Sequence, residues 1–160
     1  MIRLLLMGCL LLLSACANQP PLPEKIPALT LPLQLHVQRL ADGQSQDWLL
    51  VIQREGAAIR WSMMDPLGIP QARQKLVDGQ WQADGLLPPN PQARDLFAAL
   101  LFALTSADDV RKLYPTAQAM DLTRTLPGHW QIAYQSSEVF RVNMIGQPLS
   151  YRISPLGAAR

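Results

Sequence analysis

Apolar and polar residues alternate through much of this chain. Leu33, Leu35 and Val37 alternate with Gln34, His36 and Gln38, a period of two that leaves one buried face. Asp47–Arg54 is apolar on both faces at its middle. Ala57, Ile59, Trp61 and Met63 then alternate with Ala58, Arg60, Ser62 and Met64. Arg54-Glu55-Gly56 joins these two runs as a hairpin. Further strands are predicted over Gln71–Val77 and Gln80–Ala83, with Asp78-Gly79 as the tight turn between them. The pattern changes at Gly85-Leu86-Leu87-Pro88-Pro89. Asn90 suits a helix cap, Pro91 suits the first helical position, and residues 92–104 are rich in helix formers. Nothing polar occurs from Leu96 to Leu104, so this helix has no solvated side. It must be buried or must cover an apolar hollow. Ser106 with Asp109 opens a second, short helix that Tyr114-Pro115 ends. Strands return over Met120–Thr125, Trp130–Gln135, Glu138–Ile145 and Leu149–Ser154, with turns at Pro127-Gly128 and Gly146-Gln147-Pro148.

These elements sum to eight or nine antiparallel strands in a meander with two helices inserted midway. The fold class expected is mainly β (α+β). It is a single strongly curved antiparallel sheet, an unclosed half-barrel, with the two mid-chain helices as its lid or plug. The domain is expected over residues 33–160.

The apolar pattern at the N-terminus is of another kind. Residues 1–15 read MIRLLLMGCLLLLSA, with Arg3 as a short positive region and Leu4–Leu13 as an apolar stretch. About ten residues match a signal-peptide core and are too few to span roughly 30 Å of hydrocarbon as a helix. Leu13-Ser14-Ala15-Cys16 resembles a bacterial lipobox, an apolar residue and two small ones before a cysteine. Cys16 is therefore the expected lipid-attachment residue, its thiol taking a diacylglyceryl group and its freed amine an acyl chain such as palmitate. Two or three acyl chains make a lasting anchor where one does not. Residues 16–32 carry Pro20, Pro21, Pro23, Pro27 and Pro32 and are read as an extended, lipidated tether, reaching up to roughly 50 Å at about 3.1 Å per residue. The absence of Asp after Cys16 implies, by enteric-type sorting, an outer-membrane destination on the periplasmic face.

Composition narrows the functional classes. The chain has 160 residues, 49% hydrophobic and 16% charged, which excludes a mostly disordered chain. A net charge of +2 carries no footprint for nucleic acid. Of the 2 Cys, Cys9 is expected to leave with the signal and Cys16 to be lipidated, and on that expectation thiol catalysis, disulfides and thiolate metal sites drop out. His36 and His129 have no metal-ligand spacing. No nucleophile elbow, phosphate loop or zinc-protease motif is present, and no enzyme activity, cofactor or metal is expected.

The strand, hairpin and helix order resembles the LolB family of outer-membrane lipoprotein receptors. Three stretches carry the resemblance, with a fourth late in the chain. Trp61-Ser62-Met63-Met64-Asp65-Pro66-Leu67-Gly68 resembles that family's strand and protruding loop. Lys75–Asp84 resembles the next hairpin, Gln92–Tyr114 the lid helices, and Trp130-Gln131-Ile132-Ala133-Tyr134 a late strand. Together they cover roughly residues 47–155. The chain departs from the family in its Pro-rich segment, where LolB-type chains carry an amphipathic helix, and in its shorter late strands. It is similar to the smaller lipoproteins encoded with aryl-polyene or fatty-acid-like pathways. The resemblance implies an unclosed barrel with an apolar cavity and lipid binding or lipoprotein localisation as the function. It also implies an acylated lipoprotein or lipid-like cargo and a LolA-like periplasmic carrier as donor.

By the same resemblance, Pro66, Leu67 and Gly68 form a loop contacting membrane or cargo. The residues alone leave Leu67 open between insertion and packing on its own hairpin. Trp61, Met63, Leu96, Phe97, Leu100, Leu101, Phe102, Trp130, Ile132 and Tyr134 are candidate cavity-lining residues, and they suit a filled core equally well. The second functional class is thus a structural, non-catalytic accessory lipoprotein of an envelope complex.

Overall fold

The computed structural model describes residues 19–156, so the expected signal peptide, the lipobox-like stretch and the expected lipid-attachment residue Cys16 lie outside the described residues. Turn chemistry sets most strand boundaries. β1 (Leu33–Ala41) turns into β2 (Gln44–Glu55) through Asp42 and Gly43, with φ of 54° and 72°. Asp78 and Gly79, at 48° and 72°, join β4 (Pro70–Val77) to β5 (Gln80–Ala83). Left-handed values at both central residues give the twist that a two-residue hairpin needs. β3 (Ala58–Met64) lies between these pairs.

Two helices follow, α1 (Pro91–Leu104) and α2 (Ala107–Leu113), and then β6 (Gln118–Met120), β7 (Thr123–Leu126), β8 (Trp130–Tyr134), β9 (Phe140–Met144) and β10 (Leu149–Pro155). The single strand expected over Met120–Thr125 is in fact the β6–β7 hairpin. Asp121 takes a φ of 48° and turns the chain there, with no glycine to announce it.

The ten strands form one curled, unclosed antiparallel sheet in the order β5-β4-β3-β2-β1-β10-β9-β8-β7-β6. The predicted fold class therefore stands, but not as one continuous meander. Each half of the chain makes its own five-stranded meander, and the central seam is the pairing of β1 with β10, from Leu35↔Pro155 to Ala41↔Leu149. The edges, β5 and β6, have four and three residues, which limits unwanted edge pairing.

The helices connect one edge to the other, so α1 lies in the hollow of the sheet. Val37, Leu50, Ile52, Trp61 and Leu76 from the first half and Trp130, Ile132, Val142, Tyr151 and Ile153 from the second face it, all with no exposed surface. Leu96 through Ala103 of α1 are likewise buried. The apolar run read from the sequence thus belongs to a plug inside the half-barrel.

The Pro-rich segment does not stand free. Pro23 and Pro27 are buried, and Leu22, Ile26, Leu29 and Leu31 pack against the core. Four apolar side chains interrupt the prolines, and their burial outweighs the preference of such a segment for solvated extended chain. The long spacer expected from the sequence is shortened accordingly.

Candidate functional site

The turns β1–β2, β3–β4, β7–β8 and β9–β10 all lie at one end of the antiparallel strands and form a rim. The entrance of α1 lies at this rim. Asn90 caps it, with Oδ1 accepting from the Ala93 N–H at 3.0 Å. Its Nδ2 donates to the Gln71 carbonyl at 3.3 Å, at the start of β4. Four residues after Pro91, Asp95 Oδ1 accepts from Trp130 Nε1 at 2.9 Å, at the start of β8. At 1.5 Å of rise per residue, Asn90 and Asp95 are about 7.5 Å apart along the helix axis. The first turns of α1 therefore bridge the two halves of the rim.

The β3–β4 loop is rigidly presented there. Asp65 closes a turn by accepting from the Gly68 N–H at 2.9 Å. Its carboxylate Oδ1 also accepts from the N–H groups of Leu67 and Ile69, each at 2.9 Å. Pro66 occupies the second turn position, as expected, and Gly68 has a φ of 82° that disfavours any other residue. The outcome for Leu67 is clear. Its side chain is 85% exposed, so it is not packed on its own hairpin. Ile69 beside it, Ile145 in the β9–β10 turn and Leu86 in the connection to α1 are also exposed. The sequence patterns singled out Leu67 but missed the other three, because isolated apolar residues in turns carry no periodicity.

A cleft of about 740 Å³ opens beside the α1 entrance. Trp130, Met144 and Leu149 supply apolar wall, while Asp95, His129 and Gln147 supply polar groups. Gln19 and Pro20 border it too, so the described chain begins at this cleft. Burial pushes the Asp95 carboxyl above its ordinary value, opposed by the Trp130 hydrogen bond and the nearby His129 charge.

The predicted cavity-lining residues lie mostly elsewhere. Trp61 and Phe97 stack with ring centres 5.4 Å apart, and Trp81 meets them at 5.6 and 5.9 Å. Phe102 packs against Tyr114 at 4.9 Å and Trp130 at 6.0 Å. Met63, Leu96, Leu100, Leu101 and Ile132 are buried with them in one core. Only Trp130 of the set borders the cleft. Tyr134 has another role, its Oη donating to the Ala103 carbonyl at 2.8 Å. Arg124 Nη1 donates to the carbonyls of Phe102 and Thr105 at 2.9 and 2.8 Å. A cation at a helix C-terminus meets the negative end of its dipole, so β7 and β8 hold the far end of the plug. The helix was expected as a lid or a plug, and these contacts at both ends make it a fixed plug.

Several charged groups on the strands of the first half are paired. Arg60 and Arg73 meet Asp84 at 2.7 and 3.0 Å, Lys75 meets Glu55 at 2.8 Å, and Arg60 also pairs with Glu55. Burial would raise the Asp84 carboxyl, but Arg60, Lys75 and Arg73 together hold it below its ordinary value. His36 pairs with Asp47 at 2.8 Å. No helix among the described residues is long and apolar enough to cross a membrane. Set against known proteins, the chain matches no family model and no curated protein. The likeness to LolB rests on the residues quoted above.

Proposed function

We propose that this chain is an outer-membrane-anchored lipoprotein that takes up an acylated or lipid-like cargo at the rim of its half-barrel and hands it to the bilayer. The observation that carries the reading is Leu67, an apolar side chain held 85% exposed by a turn with three hydrogen bonds. Exposed leucine on a rigid tip gains free energy only by meeting another apolar surface. The start of the described residues, Gln19 and Pro20, lies at the same rim, which supports a membrane-facing orientation. Gln19 lies three residue steps beyond Cys16, a reach of at most about 10 Å. A lipidated Cys16 would then draw the Leu67 loop toward the membrane surface. Transfer needs no chemical energy where affinity rises from donor carrier to this protein to the bilayer.

With the interior filled by α1, cargo would engage the cleft and the exposed rim residues while the core stays closed. The test uses a soluble Cys16→Ala form, loaded from a periplasmic carrier or from acylated peptide and weighed by native mass spectrometry. Uptake of an acyl ligand is the expected result. A protein that stays empty against every loaded donor rules the reading out.

A second reading, an accessory subunit of an envelope complex, is favoured by one observation. Eight consecutive residues of α1, Leu96 to Ala103, are buried in a filled core, which needs no ligand for stability. It predicts a protein partner crosslinked to the rim in intact membranes and no acyl uptake.

A further inference from the structure

We propose that the cleft beside α1 recognises a primary ammonium group borne on an apolar chain, with the Asp95 carboxylate as its counter-charge. This deepens the cargo-binding reading and rests on it only for the apolar chain. Among the described residues, Asp95 is the only acidic one lining the cleft. Its Oδ1 holds the Trp130 indole N–H at 2.9 Å, and none of the ion pairs among the described residues includes it. Asp84 and Asp47, by contrast, each have a cationic or imidazole partner. Arg94 also borders the cleft, but its Nε donates to Gln74 Oε1 at 3.4 Å on β4. His129 borders the cleft as well and its charge acts on Asp95, but it forms no ion pair with it among the described residues, so the carboxylate still has room for a direct cationic partner from outside.

Pinning the indole does not account for that charge. A neutral amide would accept the same hydrogen bond without the desolvation of an ion. This fold also leaves the buried indole N–H groups of Trp61 and Trp81 without a partner among the described residues. The chemistry of the entering group follows from the free lone pairs. One carboxylate oxygen is already engaged by Trp130, which disfavours the two-pronged grip of a guanidinium and suits the compact charge of an ammonium. Met144, Ile145 and Leu149 then offer apolar wall to the first carbons of an attached chain. A volume of about 740 Å³ accommodates a head group with part of a chain. The ammonium has two sources, a phospholipid ethanolamine head or a free amine on a soluble amphiphile.

The test follows the Trp130 indole N–H resonance of the ¹⁵N-labelled Cys16→Ala mature chain. Hexylammonium should shift this resonance in a saturable way, and 1-hexanol should bind at least tenfold more weakly. Asp95→Asn keeps an oxygen for the indole and should fold, yet bind hexylammonium at least tenfold more weakly. Equal binding of hexylammonium and hexanol, equal binding by the variant, or no shift at all would overturn the site. Vesicles separate the sources. Asp95-dependent binding to phosphatidylethanolamine over phosphatidylglycerol assigns the lipid head, and hexylammonium binding without such dependence assigns a soluble amine. Acyl uptake that survives in Asp95→Asn, with ammonium selectivity absent, sinks this site and leaves the transfer reading standing. Ammonium binding without uptake of any acylated donor does the reverse.

Discussion

Replacing Leu67 by glutamate separates the membrane-contact reading from a purely structural one. Leu67 is 85% exposed, and the turn that presents it is built from Asp65 and Gly68, so the side chain contributes almost nothing to folding. Surface substitutions of this kind stay within about 0.5 kcal/mol. In a domain of this size that is a change in melting temperature of roughly 2 °C or less. Contact with acyl chains behaves differently. Burying one leucine contributes about 1.5–3 kcal/mol. At about 1.4 kcal/mol per factor of ten, its loss weakens partitioning onto vesicles by roughly 10- to 100-fold. The glutamate charge weakens it further. The assay is cosedimentation of the soluble Cys16→Ala protein with liposomes, with and without Leu67→Glu, beside thermal unfolding of both. Unchanged unfolding with lost sedimentation is the expected result. A melting temperature lowered by several degrees would show Leu67 to be packed. Unchanged sedimentation would show that the loop does not touch the bilayer.

Other outcomes follow from the same structure. Leu100→Ala removes a fully buried side chain from the plug and should lower stability by about 2–5 kcal/mol in urea unfolding; a near-neutral result would mean an open hollow around α1. Arg124→Met leaves the Phe102 and Thr105 carbonyls without their donor and should cost about 1–3 kcal/mol. Hydrogen exchange should rise in the last turn of α1 before anywhere else, and uniform exchange would contradict the pin. The raised Asp95 carboxyl gives a definite pH dependence. Its folded value lies above the ordinary 3.8, so its contribution is complete below that value and is lost as pH rises through the folded value. Asp95→Asn should therefore show a flatter decline on that limb and equal or higher stability at neutral pH. Asp84 has the opposite sign, its lowered carboxyl stabilising above the ordinary 3.8 and losing that contribution as pH falls. Asp84→Asn should flatten the acid limb of the unfolding profile, and an unchanged limb would show its ion pairs to be energetically silent.

Much of the fold was legible because alternation reports burial directly. Leu35 and Val37, or Trp130 and Ile132, share a face of a strand, and each pair is buried. Asp78-Gly79, the Asn90 cap and the Pro66–Gly68 turn were readable because their geometry depends on a few adjacent residues. The β6–β7 hairpin escaped notice because Asp121 turns the chain without glycine or proline. The packed Pro-rich segment escaped because the value of burying Leu22 or Ile26 depends on a core that lies far along the chain. The site was less legible than the fold. Leu67 was singled out, but Asp95 was passed over, since a single acid near a helix start usually reads as a response to the helix dipole. Its partner Trp130 lies 35 residues away.

The sequence by itself determined the alternating strands, the apolar helix between two sets of them and the rigid turn under Leu67. Each depends on spacing within a few residues, and backbone sterics and the period of two or 3.6 act at that range. Only the tertiary structure decided that β1 pairs with β10, that α1 fills the hollow, and that Asp95 meets Trp130 beside an open cleft. Those contacts join segments separated by tens of residues. Their free energy comes from surfaces that become neighbours only when the two meanders close around the helix.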